Sequence, residues 1–384
     1  MVLTKQLFNI LSIALIEQCS TRFIVRYVKY LIIFFSLLPL TNHAQVPGKN
    51  IIIITIDGIR WQEIFGGADS SILFAGKYLS KDSISITKKY WDSNPLKRRK
   101  AIFPFLWTIV AEQGQLYGNR NIGNKVNTKN PYWFSYPGYN EIFTGFPDTL
   151  VNSNDYKANP NENVLAFLNK QSAYVNKVVA FANWNAFKRI LNEQKSGFMV
   201  NDGLESLPLA YIKDPVLKTL DEIQFRLPAL WGEDRMDGLT YHIAKQYMIS
   251  QHPKVVYISF GETDEWAHSG KYDYYLDAAA YTDDMINDCW NYLQSDKFYK
   301  GNTILLITTD HGRGIGEQWT SHNNKTPFSN ETWFAVLGPG IKSSGEIKEK
   351  QQLYQAQLAQ TIASLLGFVF TTDHPVEEKV MFTR

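Results

Sequence analysis

The chain has 384 residues, of which 45% are hydrophobic and 20% charged. That is ordinary for a globular protein and enough for one large α/β domain with an inserted region, or for two domains. A formal net charge of +2 excludes the broad basic field of a nucleic-acid-binding protein, so no duplex is expected as a partner.

Residues 1–44 read as a targeting segment. Arg26 and Lys29 give a basic start, residues 30–40 an apolar core too short for a comfortable membrane span, and Ala44 closes a stretch that resembles a cleavage site. The expectation is a secretory signal, a domain spanning 45–384, and a secreted or periplasmic protein with no stable membrane span. A second apolar run at 7–16 leaves a retained N-terminal anchor as the alternative. Cys19 departs with the signal, so Cys289 stands alone and no internal disulfide can form.

Residues 50–56, NIIIITI, are too apolar for a strand with one wet face. They read as a strand buried on both sides in a parallel sheet. The run ends in Asp57-Gly58, which puts a carboxylate at the strand's C-terminal end, where open α/β sheets bind ligands. Residues 60–65 start a helix or loop over the sheet. Residues 79–100 are polar and basic, ending in Lys97, Arg98, Arg99 and Lys100. They read as a solvated loop in preference to a phosphate-attracting patch. A helix at 105–113 leads to a short strand at 116–117.

The aromatic-rich stretch 130–145, NPYWFSYPGYNEIFTG, holds Ser135 where a loop turns into a helix. Such a junction offers free backbone N–H groups to an anion, or simply an N-cap serine. Residues 152–163 are rich in Asn, Asp and Pro and read as loop. A strand is expected at 177–181, a short helix at 184–191 and a longer helix at 238–250. The region of about 150–250 is expected to carry substrate-facing insertions.

A second strong strand, VVYISF at 255–260, is followed by Asp264 and His268. Their spacing of four puts both on one face of a helical turn, where they can share an ion. Apolar positions Tyr275, Ala279, Ile286, Trp290 and Leu293 mark a helix packed on the sheet. Its acids Asp283, Asp284 and Asp288 are expected on the solvated face. A third strand at 303–309 runs into Asp310-His311-Gly312, and His322 lies on the following loop. A further strand is expected at 331–337 and the last helix at 353–366. One such acid or imidazole alone would read as structural. Three of each at corresponding positions make a metal cluster the better explanation. Mixed imidazole and carboxylate ligands suit zinc first, with manganese or iron as alternatives.

In order and spacing, several segments together resemble the alkaline phosphatase superfamily, on the branch of type I phosphodiesterases and nucleotide pyrophosphatases. They are IDG at Asp57, SYPGYNEIFTG from Ser135, DEWAH from Asp264, DHG from Asp310, His322, and LAQTIASLLG from Leu358. The resemblance spans most of residues 50–368. It implies a three-layer α/β sandwich: a mostly parallel central sheet, helices on both faces, and an inserted cap-like region. It also implies two divalent metal ions, Zn2+ first and Mn2+ as the alternative. Asp264, His268 and His322 would hold one ion; Asp57, Asp310, His311 and the oxygen of Ser135 would hold the other.

By the same resemblance, Ser135 stands at the nucleophile position. Asn154, or alternatively Asn152, matches an asparagine that binds a phosphoryl oxygen. Sulfatases of the superfamily carry an Arg where this chain has Tyr139, which disfavours sulfate esters. The implied activity is hydrolysis of a small-molecule phosphate ester through a phosphoseryl intermediate, leaning to phosphodiester or pyrophosphate bonds. A phosphomonoesterase and a non-catalytic binding protein on the same fold are the alternatives. Lys188 and Arg189 are candidates for the extra charge of a monoester; Trp133, Tyr136 and Trp184 are candidates for the apolar slot a diester needs. The sequence leaves the oligomeric state open.

Overall fold

The computed structural model describes residues 50–382, so the expected signal segment lies outside it. The strands are β1 (Asn50–Ile56), β2 (Gly114–Tyr117), β3 (Asn124–Asn127), β4 (Val178–Ala182), β5 (Met199–Asp202), β6 (Val255–Phe260), β7 (Thr303–Thr308), β8 (Glu331–Thr332), β9 (Phe334–Leu337), β10 (Gly345–Glu346) and β11 (Gln351–Tyr354). The helices used below are α1 (Trp61–Gly66), α2 (Ser83–Tyr90), α3 (Pro95–Ile102), α4 (Ser135–Thr144), α5 (Asp237–Gln251), α6 (Glu262–His268), α7 (Tyr272–Ser295) and α8 (Gln357–Leu365).

β1 lies inside an eight-stranded sheet of order β10-β2-β9-β7-β1-β6-β4-β5, and a smaller sheet has the order β11-β3-β8. β1 pairs in parallel with β6 and β7, while β9 runs antiparallel to both β7 and β2. Along β1, Ile52, Ile54 and Ile56 enter one apolar core, and Ile51 and Ile53 enter the other. Side chains alternate across a strand, so consecutive isoleucines are what two covered faces require. α5 and α7 cover the first face through Ile243, Met248, Tyr275 and Ala279. α4 and α8 cover the second through Tyr139, Ile142, Leu358 and Ile362. This is the three-layer α/β sandwich with a mostly parallel sheet that the sequence implied. Each fully buried isoleucine contributes roughly 2 kcal/mol of burial free energy, so the centre of the sheet is also its most stable part.

Register then aligns the strand ends. Ile56 sits opposite Phe260 of β6, and Thr55 opposite Thr308 of β7. The residues that follow these three strands therefore leave the sheet at one edge. Residues 150–250 add β4 and β5 to the same sheet and are not wholly an insertion.

Four local expectations are corrected. Residues 79–100 are largely helical, in α2 and α3. The side chains of Asp82 and Asn94 accept from Ser85 N and Leu96 N and cap them, and Pro95 occupies the first turn of α3. The run at 331–337 divides at Trp333 between the two sheets, as β8 and β9. The segment 353–366 begins as the end of β11, and only then becomes α8. Asp283 faces inward, accepting from Phe105 N at 2.7 Å and Leu106 N at 3.1 Å. Asp288 pairs with Lys245, and Asp284 is exposed as expected.

Candidate active site

Three strand ends deliver the acids. β1 runs into Asp57, β7 into Asp310 and His311, and β6 into α6, which carries Asp264 and His268 one turn apart. The turn after β1 requires glycine. Gly58 has φ +58°, and a Cβ there would lie 2.4 Å from Asp264 Oδ1 and 2.9 Å from Arg313 Nη1.

Asp57, Asp310 and His311 form one group, all buried, with ligand atoms within 4.8 Å of one another. His311 Nδ1 lies 2.9 Å from the Gly312 carbonyl and donates to it, so Nε2 is presented to the site. Nε2 stands 3.3 Å from each of Asp57 Oδ1, Asp310 Oδ2 and Ser135 Oγ. The other carboxylate oxygens are engaged. Tyr139 donates its hydroxyl to Asp57 Oδ2 at 2.9 Å, and Gly58 N–H donates to Asp310 Oδ1 at 3.1 Å. Asp57 Oδ1 and Asp310 Oδ2 are buried and accept no hydrogen bond.

Asp264, His268 and His322 form the second group. Asp264 Oδ2 lies 3.0 Å from His268 Nε2, which lies 2.9 Å from His322 Nε2. Asp264 Oδ1 instead meets the guanidinium of Arg313. Arg313 is held in turn by the carbonyls of Trp319 at 2.8 Å and Thr320 at 2.7 Å. The rings of His311 and His322 stack with centroids 3.9 Å apart, so the two groups adjoin.

Electrostatics say what this arrangement needs. Burial, and then Asp57 beside it, pushes the Asp310 carboxyl well above the usual carboxylate range. Burial, and then Asp264, raises Asp57 in the same way. Burial opposes the imidazolium of His311, yet Asp310 and Asp57 outweigh it and push its pKa up to about 9. Burial would also raise Asp264, but Arg313 and the two histidines hold it well below the usual range. Burial and His311 keep His322 neutral. Neighbouring buried carboxylates cannot ionise together without added positive charge. Two buried carboxylate oxygens, Asp57 Oδ1 and Asp310 Oδ2, lack hydrogen bonds, and His311 Nε2 lies beside both. This donor set fits divalent ions, one per group, and its mixed oxygen and nitrogen character suits zinc or manganese.

Ser135 is the first residue of α4, not its cap; that position is held by Phe134 in extended conformation. Just before it, Trp133 has φ 57°, strained for a non-glycine residue, and Asn130 Oδ1 pins it by accepting from Trp133 N at 3.0 Å. The start of α4 offers fewer free donors than the sequence suggested. Tyr136 N donates to Asn154 Oδ1 at 3.0 Å, Pro137 has no N–H, and Gly138 N donates to the Phe134 carbonyl at 3.0 Å. Asn154 is therefore oriented by its oxygen, and its amide nitrogen stays available. Gly138 lets α4 press on the β7 edge, because a Cβ there would lie 2.5 Å from the Asp310 carbonyl oxygen.

A cavity of about 170 Å³ opens over these groups. Ser135, Asn154 and Trp184 line it with Asp57, Asp264, His268 and His322. Lys188 is not among its walls; its ammonium pairs with Glu205 and, at 3.7 Å, with Glu193. Arg189 donates to the Tyr156 carbonyl at 2.7 Å and supports the loop that carries Asn154. Tyr136 is core, its hydroxyl donating to the Lys157 carbonyl at 2.8 Å.

Sequence reasoning missed Asn183, Asp234, Gly261 and Glu265, which also line the cavity. Asn183 follows β4 directly, so the strand-end rule used for the acids would have found it. Arg313 follows the DHG motif by one residue and had the same signal. Asp234 sits on a long connection after β5 and had none. Burial pushes Asp234 and Glu265 each up to about 7.

The family model described as Sulfatase matches residues 124–368. Among solved structures, the alkaline phosphatase PafA superposes with a TM-score of 0.59 at 11% identity, covering 87% of this chain and 98% of that one. The lipoteichoic acid synthase LtaP from Listeria monocytogenes gives 0.54 at 14% identity, covering 84% and 72%. The phosphonate monoester hydrolase of Agrobacterium radiobacter gives 0.51 at 12% identity, covering 84% and 74%. No curated protein matches the chain.

Proposed function

The chain belongs to the sulfatase family and is a hydrolase of the alkaline phosphatase superfamily, and from that premise we propose that it cleaves phosphodiesters through a phosphoseryl intermediate on Ser135. The carrying observation is the cavity wall. Ser135 Oγ stands 3.3 Å from His311 Nε2 beside the two ligand groups, and no Lys or Arg lines the cavity among the described residues. A dianionic monoester needs cations beyond two metal ions, whereas a monoanionic diester does not. Tyr139 bears on the family's named chemistry. It is buried and spent on Asp57, where sulfatases carry an arginine, so the site supports phosphate over sulfate esters.

Asp57, Asp310, His311 and Ser135 Oγ would hold one ion, and Asp264, His268 and His322 the other. Bound there, two divalent ions supply positive charge that favours the ionised serine and the charge developing on the leaving oxygen. The chain's own residues do the rest. The start of α4 aims Ser135 Oγ into the cavity. Asn154, with its oxygen fixed on Tyr136 N, turns its amide nitrogen to donate to a phosphoryl oxygen. Ser135 loses its proton to water as the Oγ–P bond forms, and the P–O bond to the first alcohol breaks; that alkoxide takes up a proton. Water then attacks phosphorus, restores the serine hydroxyl and releases the monoester. His311 keeps Nδ1–H on Gly312 throughout and so stays in the ligating tautomer.

The test uses purified protein reconstituted with zinc or manganese. Elemental analysis is expected to find two ions per chain. A panel of bis(4-nitrophenyl) phosphate, 4-nitrophenyl phosphate and 4-nitrophenyl sulfate is expected to rank the diester first by kcat/KM. A sulfate or monoester ranked first would overturn the reading.

A further inference from the structure

One buried acid outside the cavity takes no part in the chemistry above. Glu141 lies on α4, further along the same helix as Ser135, and its side chain is fully buried. Its Oε1 accepts from Lys129 N at 2.7 Å and Ala356 N at 3.1 Å. Its Oε2 accepts from Asn130 N at 2.7 Å and Asn130 Nδ2 at 2.9 Å. Among the described residues no cation pairs with it, and the ammonium of Lys129 turns to Glu377 instead. Burial pushes the Glu141 carboxyl up, and the N–H groups oppose the rise. An acid buried without a cation is costly, and an apolar side chain would serve packing alone better.

Two of the segments held this way lead to the reacting groups. Asn130, fixed through its N–H and its side-chain amide, turns Oδ1 to accept from Tyr132 N and Trp133 N, each at 3.0 Å. Trp133 is kept there at φ 57°, a conformation that non-glycine residues avoid. Phe134 follows in extended conformation, and Ser135 opens α4. The turn that delivers Ser135 is therefore tied back to the helix it enters. On the other side, Ala356 follows Gln355, whose side chain donates to the carbonyl of Thr309, the residue before Asp310. Glu141 thus joins the serine turn to the segment that braces the corner carrying Asp310 and His311. Those two parts set the 3.3 Å between Ser135 Oγ and His311 Nε2.

Resting on the phosphodiester reading, we infer that Glu141 is a positioning residue for the nucleophile. Acting through Asn130, it holds the strained turn at Trp133 and so fixes Ser135 Oγ beside His311. Every hydrogen-bond partner of Glu141 is a donor, so glutamine is no substitute despite its shape. Its NH2 group would face N–H groups and lose the bonds that one oxygen accepts.

The experiment uses metal-loaded enzyme and bis(4-nitrophenyl) phosphate, well below the unfolding temperature of each variant. Misplacing a reacting group by about 1 Å is costly, so Glu141→Gln and Asn130→Ala are each expected to lower kcat about tenfold to a hundredfold. KM should move less than about twofold, and zinc content should match the wild type. The double variant should be no slower than the slower single variant, since both act on one turn. A purely structural residue would lower the unfolding temperature and leave kcat of the folded enzyme intact, and that outcome overturns the proposal. A loss confined to KM or to zinc content, or additive losses in the double variant, also overturns it. Should Glu141→Gln not fold, Asn130→Ala decides alone, and a wild-type kcat there overturns it. If the wild type does not cleave the diester, the phosphodiester reading fails, and amide hydrogen exchange still decides the positioning role. Exchange of segment 129–135 faster by about tenfold or more in the variants, with β1 unchanged, supports it. Exchange that is unchanged, or raised equally in β1, overturns it.

Discussion

Ser135 is held at the mouth of the site by both of its neighbourhoods. Behind it, the strained Trp133 is pinned by Asn130; ahead of it, Tyr136 N is pinned by Asn154. Its hydroxyl faces His311 Nε2. If Ser135 forms the phosphoryl-enzyme, Ser135→Ala is expected to lower kcat about a thousandfold, ~4 kcal/mol of barrier. Zinc content should stay close to that of the wild type, because the other six ligands sit on separate segments. Ser135→Thr should retain part of the activity, since the hydroxyl remains. Rapid quenching with labelled substrate and peptide mapping checks this, and label absent from the serine peptide rules the mechanism out. At this scale the sequence was legible for residues that end strands, because a buried strand is unmistakable and its next residue has one place to go. Arg313 escaped notice although its effect on Asp264 is large. Its partner lies 49 residues away, and no local pattern marks such a pair.

Among the elements, α4 matters most, since it fixes both the serine and the second covered face of the sheet. It presses on the strand edge at Gly138. Alanine is the better helix former there by about 1 kcal/mol. The added Cβ, however, would meet a backbone oxygen of Asp310 at 2.5 Å, and backbone yields far less readily than a side chain. The clash should win, so Gly138→Ala is expected to destabilise by about 1–3 kcal/mol and to draw Ser135 away from His311. Thermal unfolding and kcat, measured on the same preparation, test it; wild-type values in both would contradict this account. α2 and α3 show how an element is missed. Their surfaces are too polar for an apolar stripe to stand out, but Asp82, Asn94 and Pro95 are helix-start signals that outweigh composition.

For the molecule as a whole, stability should depend on pH through acids far from the cavity. Burial pushes Asp283 from 3.8 up to about 7, despite the two backbone N–H groups that favour its charged form. A raised carboxyl pKa means that, between these values, the folded state keeps a proton the unfolded chain has released. Stability contributed by this group therefore falls as pH rises from about 4 to about 7, by at most ~1.4 kcal/mol per pH unit. Asp283→Asn is expected to flatten the decline. Urea unfolding of wild type and variant across that range, in chelator, measures it; parallel curves would contradict the assignment. The remaining whole-molecule expectation, an export signal at 1–44, lies outside the described residues. Within those residues, no helix is long and apolar enough to cross a membrane.

The sequence by itself determined the centre of the main sheet and singled out the acids and histidines proposed as ligands. A strand covered on both faces must be apolar at every position, and that composition is rare enough to find β1, β6 and β7 and the acids that follow them. Tertiary structure alone decided how those acids are used. Asp264 gives one oxygen to Arg313 and leaves the other for His268, a division set by a residue beyond β7. Asp283 turned inward because Phe105 and Leu106, in the first turn of a helical segment far away in sequence, present their N–H groups to it, which helical periodicity cannot anticipate. The cavity walls were equally hidden: Asp234 and Glu265 line one cavity from segments that come together only in the folded chain. Periodicity and composition are local properties, whereas charge balance and cavity shape arise from segments that meet only after folding.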